Sequence, residues 1–173
     1  PRLRYDSADA YQLSTGFSGL AAAAVGHIPG IASLSGSIVG DAEATLISIP
    51  KQPLQLDFPG VFRTPFRYSE IGGDVVAWHD DDGWQVQTGQ FMFEGEGYGG
   101  VLAGGVSFPV DRSKPSLDVA VAVQHADVGA AKLFWPVNVM PAKAVQWLDD
   151  ALLGGSLTAH AVFRGNLEDF PFA

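Results

Sequence analysis

The run SLDVAVAVQ, residues 116–124, decides the fold class. Leu117, Val119, Val121 and Val123 fall on one side of an extended chain, and Asp118, Ala120, Ala122 and Gln124 fall on the other. Side chains alternate across a strand with a period of two, so this run reads as a half-buried antiparallel strand. The pattern recurs on both sides of it. Leu54, Leu56 and Phe58 oppose Gln55 and Asp57, and Trp84 and Val86 oppose Gln85 and Gln87. Further on, Leu157, Ala159, Ala161 and Phe163 oppose Ser156, Thr158, His160 and Arg164. Turn residues divide the runs. Asp80-Asp81-Asp82-Gly83 joins residues 75–79 to 84–88, and Asp82-Gly83 suits a primed or bulged hairpin. Asp111-Arg112-Ser113-Lys114-Pro115 separates 105–110 from 116–124. Many short strands between frequent turns predict an antiparallel protein dominated by β-structure.

Short helices interrupt the strands. Residues 127–134 are predicted as one, with Asp127 as N-cap and Pro136 as the stop. Residues 141–153 are another: Pro141 suits a first helical position, Val145, Leu148 and Leu152 form a stripe, and Gly154-Gly155 ends it. Lys143 early and Asp149-Asp150 late oppose the helix dipole, so packing of the Val145, Trp147 and Leu148 side is expected to hold this helix. Residues 19–25, with their four alanines, are expected to add a third helical turn.

Composition narrows the function. The 173 residues fit one domain or one section of a longer repeat, and the start at Pro1 rather than Met is that of a processed or excised piece. A net charge of −9, with ten scattered Lys and Arg, excludes a nucleic-acid surface. The absence of cysteine removes disulfides, thiolate metal sites and Cys nucleophiles. No run approaches the roughly 20 apolar residues of a membrane-spanning helix. Yet 47% of the residues are hydrophobic and only 17% charged. Either the core is large or apolar surface is kept for a ligand.

No constellation for bond chemistry or metal binding stands out. Gly95-Glu96-Gly97-Tyr98-Gly99-Gly100 matches GxGxxG, but a strand rather than a helix follows it, so it reads as a hairpin connection. Asp80, Asp81 and Asp82 lack the alternating spacing of a calcium loop. His27, His79, His125 and His160 are too scattered to chelate. Gly16-Phe17-Ser18-Gly19 is followed by Leu20, which breaks the nucleophile-elbow pattern. Glu94 with Glu96, or Asp118 with Glu168, are the carboxylate pairs that glycoside chemistry could use, and Trp78, Trp84, Trp135 and Trp147 could stack sugars, but aromatic residues in alternating strands are usually core. The expectation is a non-enzyme with no cofactor and no metal. LSGSIVG (34–40), IGGDVVAW (71–78), LAGGVSF (102–108) and LGGSLTAH (153–160) form a weak repeat, each with small residues ahead of an alternating run. It reads either as a repeated strand starter or as ordinary Gly-Gly turn markers.

Several stretches together resemble a known family. They are IPGIASLSGSI (28–38), Pro65-Phe66, Gly-Gly-x-Val-x-x-Trp at 72–78, LFWP at 133–136, and WLDDALLGGSLTAHAVFRGNLEDFPF at 147–172. Their order resembles the YhdP-like branch of the AsmA-type bridge-like lipid-transfer proteins, with Trp135 standing where the family usually has Leu. The resemblance implies an antiparallel, strongly twisted and curved sheet forming an open groove or half-barrel. It implies that residues 1–173 are a single internal section of a larger repeating β-groove protein, with possible sub-units at 1–64 and 65–173. It implies the periplasmic portion of an inner-membrane-anchored Gram-negative protein that conducts phospholipids between inner and outer membrane and contributes to outer membrane biogenesis. Its partners would be phospholipid acyl chains and neighbouring groove sections, and an excised fragment would self-associate edge to edge.

Under that reading the groove-lining candidates are Leu54, Leu56, Phe58, Trp84, Val86, Phe91, Phe93, Leu117, Val119, Val121, Val123, Leu157 and Phe163. Alternation tells which face is apolar, not what touches it. The same faces could close on each other as a sandwich core, or lie under the 141–153 helix. The competing architectures are a closed β-barrel or jelly-roll module binding a small apolar ligand or sugar, and a scaffold section with no ligand.

Overall fold

The computed structural model describes residues 2–7, 10–25, 29–111, 114–138 and 140–166, with side chains described from Tyr11 onward. His27, Ile28, Glu168 and the Phe170-Pro171-Phe172 ending lie outside these residues.

Nine strands form one sheet in chain order. They are β1 (Arg2–Ser7), β2 (Ala10–Ala22), β3 (Gly30–Gly40), β4 (Ala44–Asp57), β5 (Phe66–Asp80), β6 (Gly83–Gly95), β7 (Tyr98–Pro109), β8 (Ser116–Asp127) and β9 (Ser156–Asn166). Every neighbouring pair is antiparallel, and β1 and β9 are the two edges. The sheet is therefore open. This corrects the closed-barrel and jelly-roll alternatives: a barrel pairs its first and last strands, and a jelly roll needs Greek-key crossings, whereas each strand here pairs only with its neighbours in sequence.

The alternating runs become strands for the expected reason, and the turns behave as local chemistry dictates. Asp80 Oδ1 accepts the backbone N–H groups of Asp82 and Gly83 at 3.0 Å, which fixes the β5–β6 hairpin. The GxGxxG run is the β6–β7 hairpin, with Glu96 and Gly97 between the strands.

What bends the sheet is a line of irregularities near the middle of the strands. Register slips between Phe17 and Leu20, Ala32 and Ser37, Ile49 and Gln52, Gly73 and Val76, and Thr88 and Phe91, and nearer the strand ends between Val123 and Ala126. Each extra residue kinks its strand and increases the local twist, so a row of them creases the sheet into a trough. Gly72-Gly73 and Gly104-Gly105 sit at this crease, inside β5 and β7, and not at strand starts or turns. Gly104 has φ +118°, and a Cβ there would run into the Asp118 carbonyl oxygen.

Residues 19–25 are not helical. β2 continues to Ala22, with Leu20 opposite Leu34 and Ala22 opposite Ile31. Alanine's helix propensity is a weak preference, and the ladder to β3 overrides it. The other two helices form. Residues 128–134 make a one-turn helix α1 (Val128–Ala131) and a 3₁₀ turn (Lys132–Phe134), and α2 spans Ala142–Ala151. Asp127 precedes α1 without a side-chain capping bond; its backbone N–H donates to the Gly97 carbonyl at 2.7 Å. Trp147 does not hold α2 in place, since it is 67% exposed. The seat of α2 is partly polar: Arg63 pairs with the Asp149 carboxylate, and Lys132 Nζ donates to the Asp149 carbonyl at 2.8 Å.

Fully buried apolar residues are few. Ile49, Leu54 and Ile71 form one small cluster, and Tyr98, Ala126 and Ala131 another. No polar or charged residue among those described is buried.

Candidate functional site

Directly paired residues of an antiparallel ladder point to the same face, so the register reads out the inner wall of the trough row by row. Ile71, Phe93, Gly100, Val123 and Ala159 are paired in succession from β5 to β9. Gly73, Phe91, Leu102, Val121 and Ala161 form the next row. Val119 and Phe163 continue the face past Gly104, and Ala77, Val86, Val106 and Leu117 lie beyond them. His79, Trp84 and Phe108 end it near the hairpin rim.

Along this face lies a groove of about 530 Å³, lined by Leu34, Ile47, Ile49, Leu54, Leu56, Tyr68, Ile71, Val75, Phe91, Phe93, Leu102, Val121 and Phe134. Its size falls among small-molecule and cofactor sites, but the few convergent polar groups that orient a specific ligand in such sites are missing. No lining side chain carries a charge, and the Tyr68 hydroxyl is the single polar side-chain group among them. Along one rim, at the strand ends, aromatic rings pack together. Phe66 contacts Phe62 at 4.8 Å and Phe134 at 5.2 Å between ring centroids, and Phe134 meets Tyr98 edge-on at 5.0 Å. Tyr98 is 1% exposed, and its hydroxyl donates to the Arg67 carbonyl at 3.2 Å. Burial pushes the Tyr98 phenol up to about 12 and raises that of Tyr68 further.

The structure gathers Leu54, Leu56, Phe91, Phe93 and Val121 around this groove. It puts Val86, Leu117, Val119, Val123, Trp84 and Phe163 on the same face outside it. Leu157 packs in the Tyr98 cluster, and Phe58 lies past the end of β4, edge-on to Phe62 and Phe66. Among all these candidates only Leu54 is buried; Trp84 is 52% exposed and Phe163 40%. Among the described residues, neither a second sheet nor α2 covers them. Sequence reasoning missed Ile47 and Ile49, whose alternation in TLISI (45–49) was visible, and Leu102, hidden among glycines. Phe134 gave no periodic signal, because it reaches the groove from outside the sheet.

The outer face is more polar. Arg164 pairs with Asp118 at 2.7 Å, Lys51 with Glu70 at 2.6 Å, and His125 lies 3.5 Å from Glu94. Glu94 and Asp118, weighed above for glycoside chemistry, are thus engaged on the outside of the trough. The four tryptophans are dispersed: Trp84 is inside, Trp78 outside by its pairing with Ala44, and Trp135 and Trp147 lie in the helical connection. Among the described residues there is no group of His, Asp and Glu able to hold a metal ion, and no helix is long and apolar enough to cross a membrane.

An open antiparallel sheet creased into a trough, apolar within and more polar without, defines a β-groove protein. The chain belongs to the YhdP protein family, whose model matches residues 1–173. It is similar to the intermembrane phospholipid transporter YhdP of Escherichia coli (strain K12), with 24% identity over 149 residues, 84% of this chain. The chain spans 12% of the length of that relative. No solved structure matches it.

Proposed function

We propose that this chain is one internal section of a longer groove that conducts phospholipids between the inner and outer membranes of a Gram-negative cell, residing in the periplasmic part of its protein. One observation carries the reading: the sheet is open, and apart from the buried Ile49, Leu54 and Ile71 the apolar side chains lining its inner face are only partly buried. Contiguous apolar surface of this kind is rare unless something covers it.

The physics is that of transfer through water. Each exposed CH₂ costs about 0.8 kcal/mol, so one long acyl chain costs on the order of 10 kcal/mol. A trough of Leu, Ile, Val and Phe removes most of that barrier along its length. Head groups stay in water at the open side, which explains why the lining needs no charge. The chain acts by sheltering hydrocarbon, with no catalytic step, cofactor or metal.

The test is to produce the chain in a Gram-negative host, purify it without detergent, and identify bound molecules by native mass spectrometry and solvent extraction. Phospholipid is expected. Phe93→Glu, on the trough floor, should reduce the bound lipid about fivefold or more, because it places a charge in an apolar site. Val162→Glu, on the outer face, should not. Equal lipid in both variants, or none in the unaltered chain, overturns the reading.

A further inference from the structure

The β8–β9 connection is longer than a turn requires. Residues 128–155 leave β8, pass through α1, the 3₁₀ turn and α2, and return to the neighbouring strand β9. They do not stay near β8. Arg63, in the β4–β5 loop, pairs with Asp149 of α2, and the Asn138 N–H donates to the Val61 carbonyl at 3.4 Å. The connection therefore runs back across the ends of β7, β6 and β5 before it returns, where the Val128 N–H donates to the Gly155 carbonyl at 3.0 Å. It is a strap along one rim of the trough.

The strap contributes one side chain to the groove lining, Phe134. Its ring is fixed by stacking on Phe66 and by the edge-on contact with Tyr98, both anchored in the sheet. Phe66 is 5% exposed, so the ring rests against a rigid support. Every other lining residue comes from a strand, and its position is set by the ladder.

We propose that the 128–155 strap overhangs the groove and that Phe134 is a specificity-determining residue that sets the cross-section through which hydrocarbon passes. This rests on the lipid-conduit reading and adds to it: cargo travels beneath the strap, in contact with Phe134, and does not bypass it along the opposite rim. An enlarged side chain at this position narrows the lane, and a smaller one widens it.

The experiment uses the intact protein that carries this chain, in its own membranes, with ³²P-labelled phospholipid. A benzophenone amino acid is placed in turn at Phe134, at Leu102 on the floor, and at Val162 on the outer face, and the protein-bound label is counted after irradiation. Label at 134 and 102 and not at 162 is expected. Label at 102 without label at 134 overturns the proposal and leaves the conduit standing; label at neither overturns both. With the probe at Leu102, Phe134→Trp should lower the label about fivefold, the lesser effect of overfilling a packed apolar site, and Phe134→Leu should not lower it. Equal label in the Trp and Leu variants overturns the gauge role, and the Leu variant controls for loss of the native ring without added bulk.

Discussion

The side-chain amide of Gln52 completes the backbone of Ser35, seventeen residues away. Its Oε1 accepts the Ser35 N–H at 2.8 Å, and its Nε2 donates to the Ser35 carbonyl. This happens where the β3–β4 ladder is interrupted between Ala32 and Ser37, next to Ser33, which has φ +67°. A side chain thus stands in for a missing strand partner at the longest interruption of the ladder, and the cost of leaving those backbone groups unpaired is avoided.

Replacing Gln52 by Ala should therefore cost more than a surface substitution. About 1–3 kcal/mol is expected from the lost bonds to Ser35, whose backbone groups are left unpaired, and from the further bond that Nε2 donates to the Pro50 carbonyl. Urea unfolding followed by circular dichroism measures it; a change within about 0.5 kcal/mol, the range of an ordinary surface site, would show that water replaces the amide without loss.

Gly104→Ala combines a left-handed φ with a collision against the Asp118 carbonyl. A destabilisation of about 2 kcal/mol or more is expected, whereas Gly129→Ala, inside α1 where a Cβ meets nothing within 4 Å, should be neutral or stabilise by up to about 1 kcal/mol. Thermal melts of the two variants compare them directly, and equal melting temperatures would contradict the crease argument.

Tyr98 links stability to alkaline pH. Its folded phenol titrates near 12, above the usual value of 10, because burial disfavours the phenolate. A raised folded pKa means the stabilisation is full below the unfolded value and is lost as pH climbs from about 10 towards 12. Absorbance at 295 nm should show Tyr98 and Tyr68 ionising late and together with unfolding. Tyr98→Phe should remove the Tyr98 share of this dependence while costing about 1 kcal/mol at neutral pH through the lost bond to Arg67. A Tyr98 that titrates freely in the folded chain, near 10, would contradict its burial.

β9 has no strand beyond it among the described residues, and it carries exposed Val162 and Phe163. Unpaired strand edges recruit other strands. The excised chain is expected to elute as dimers or larger species in size-exclusion chromatography as concentration rises, with Val162→Lys shifting it towards monomer. A strict monomer for the unaltered chain at high concentration would refute this.

Much of the architecture could be read in the alternation of runs such as 116–124, because period-two patterning reports directly which face a strand buries. Turn chemistry at Asp80–Gly83 was equally local. What escaped was non-local. The alanines near Ala22 favour a helix locally and extend only because β3 is there to pair with them. Gly72-Gly73 and Gly104-Gly105 look like turns until bulges place them inside strands. Trp147 looked like an anchor because residues 145–148 imply an apolar side, but the contacts that fix α2 include Arg63 and Lys132, distant in sequence. Phe134 joins the groove only through a connection that doubles back, and no periodicity encodes that.

The crease recurs from β2 to β7 at similar depth, so the depth and the length of the trough are set independently. Nine strands make eight steps of about 4.8 Å, a gutter of about 38 Å along the stacking direction. Appending another hairpin with the same kink would lengthen the gutter by about 10 Å and leave its calibre unchanged. Length in such a sheet can thus grow by repetition while its cross-section stays as the bulges set it.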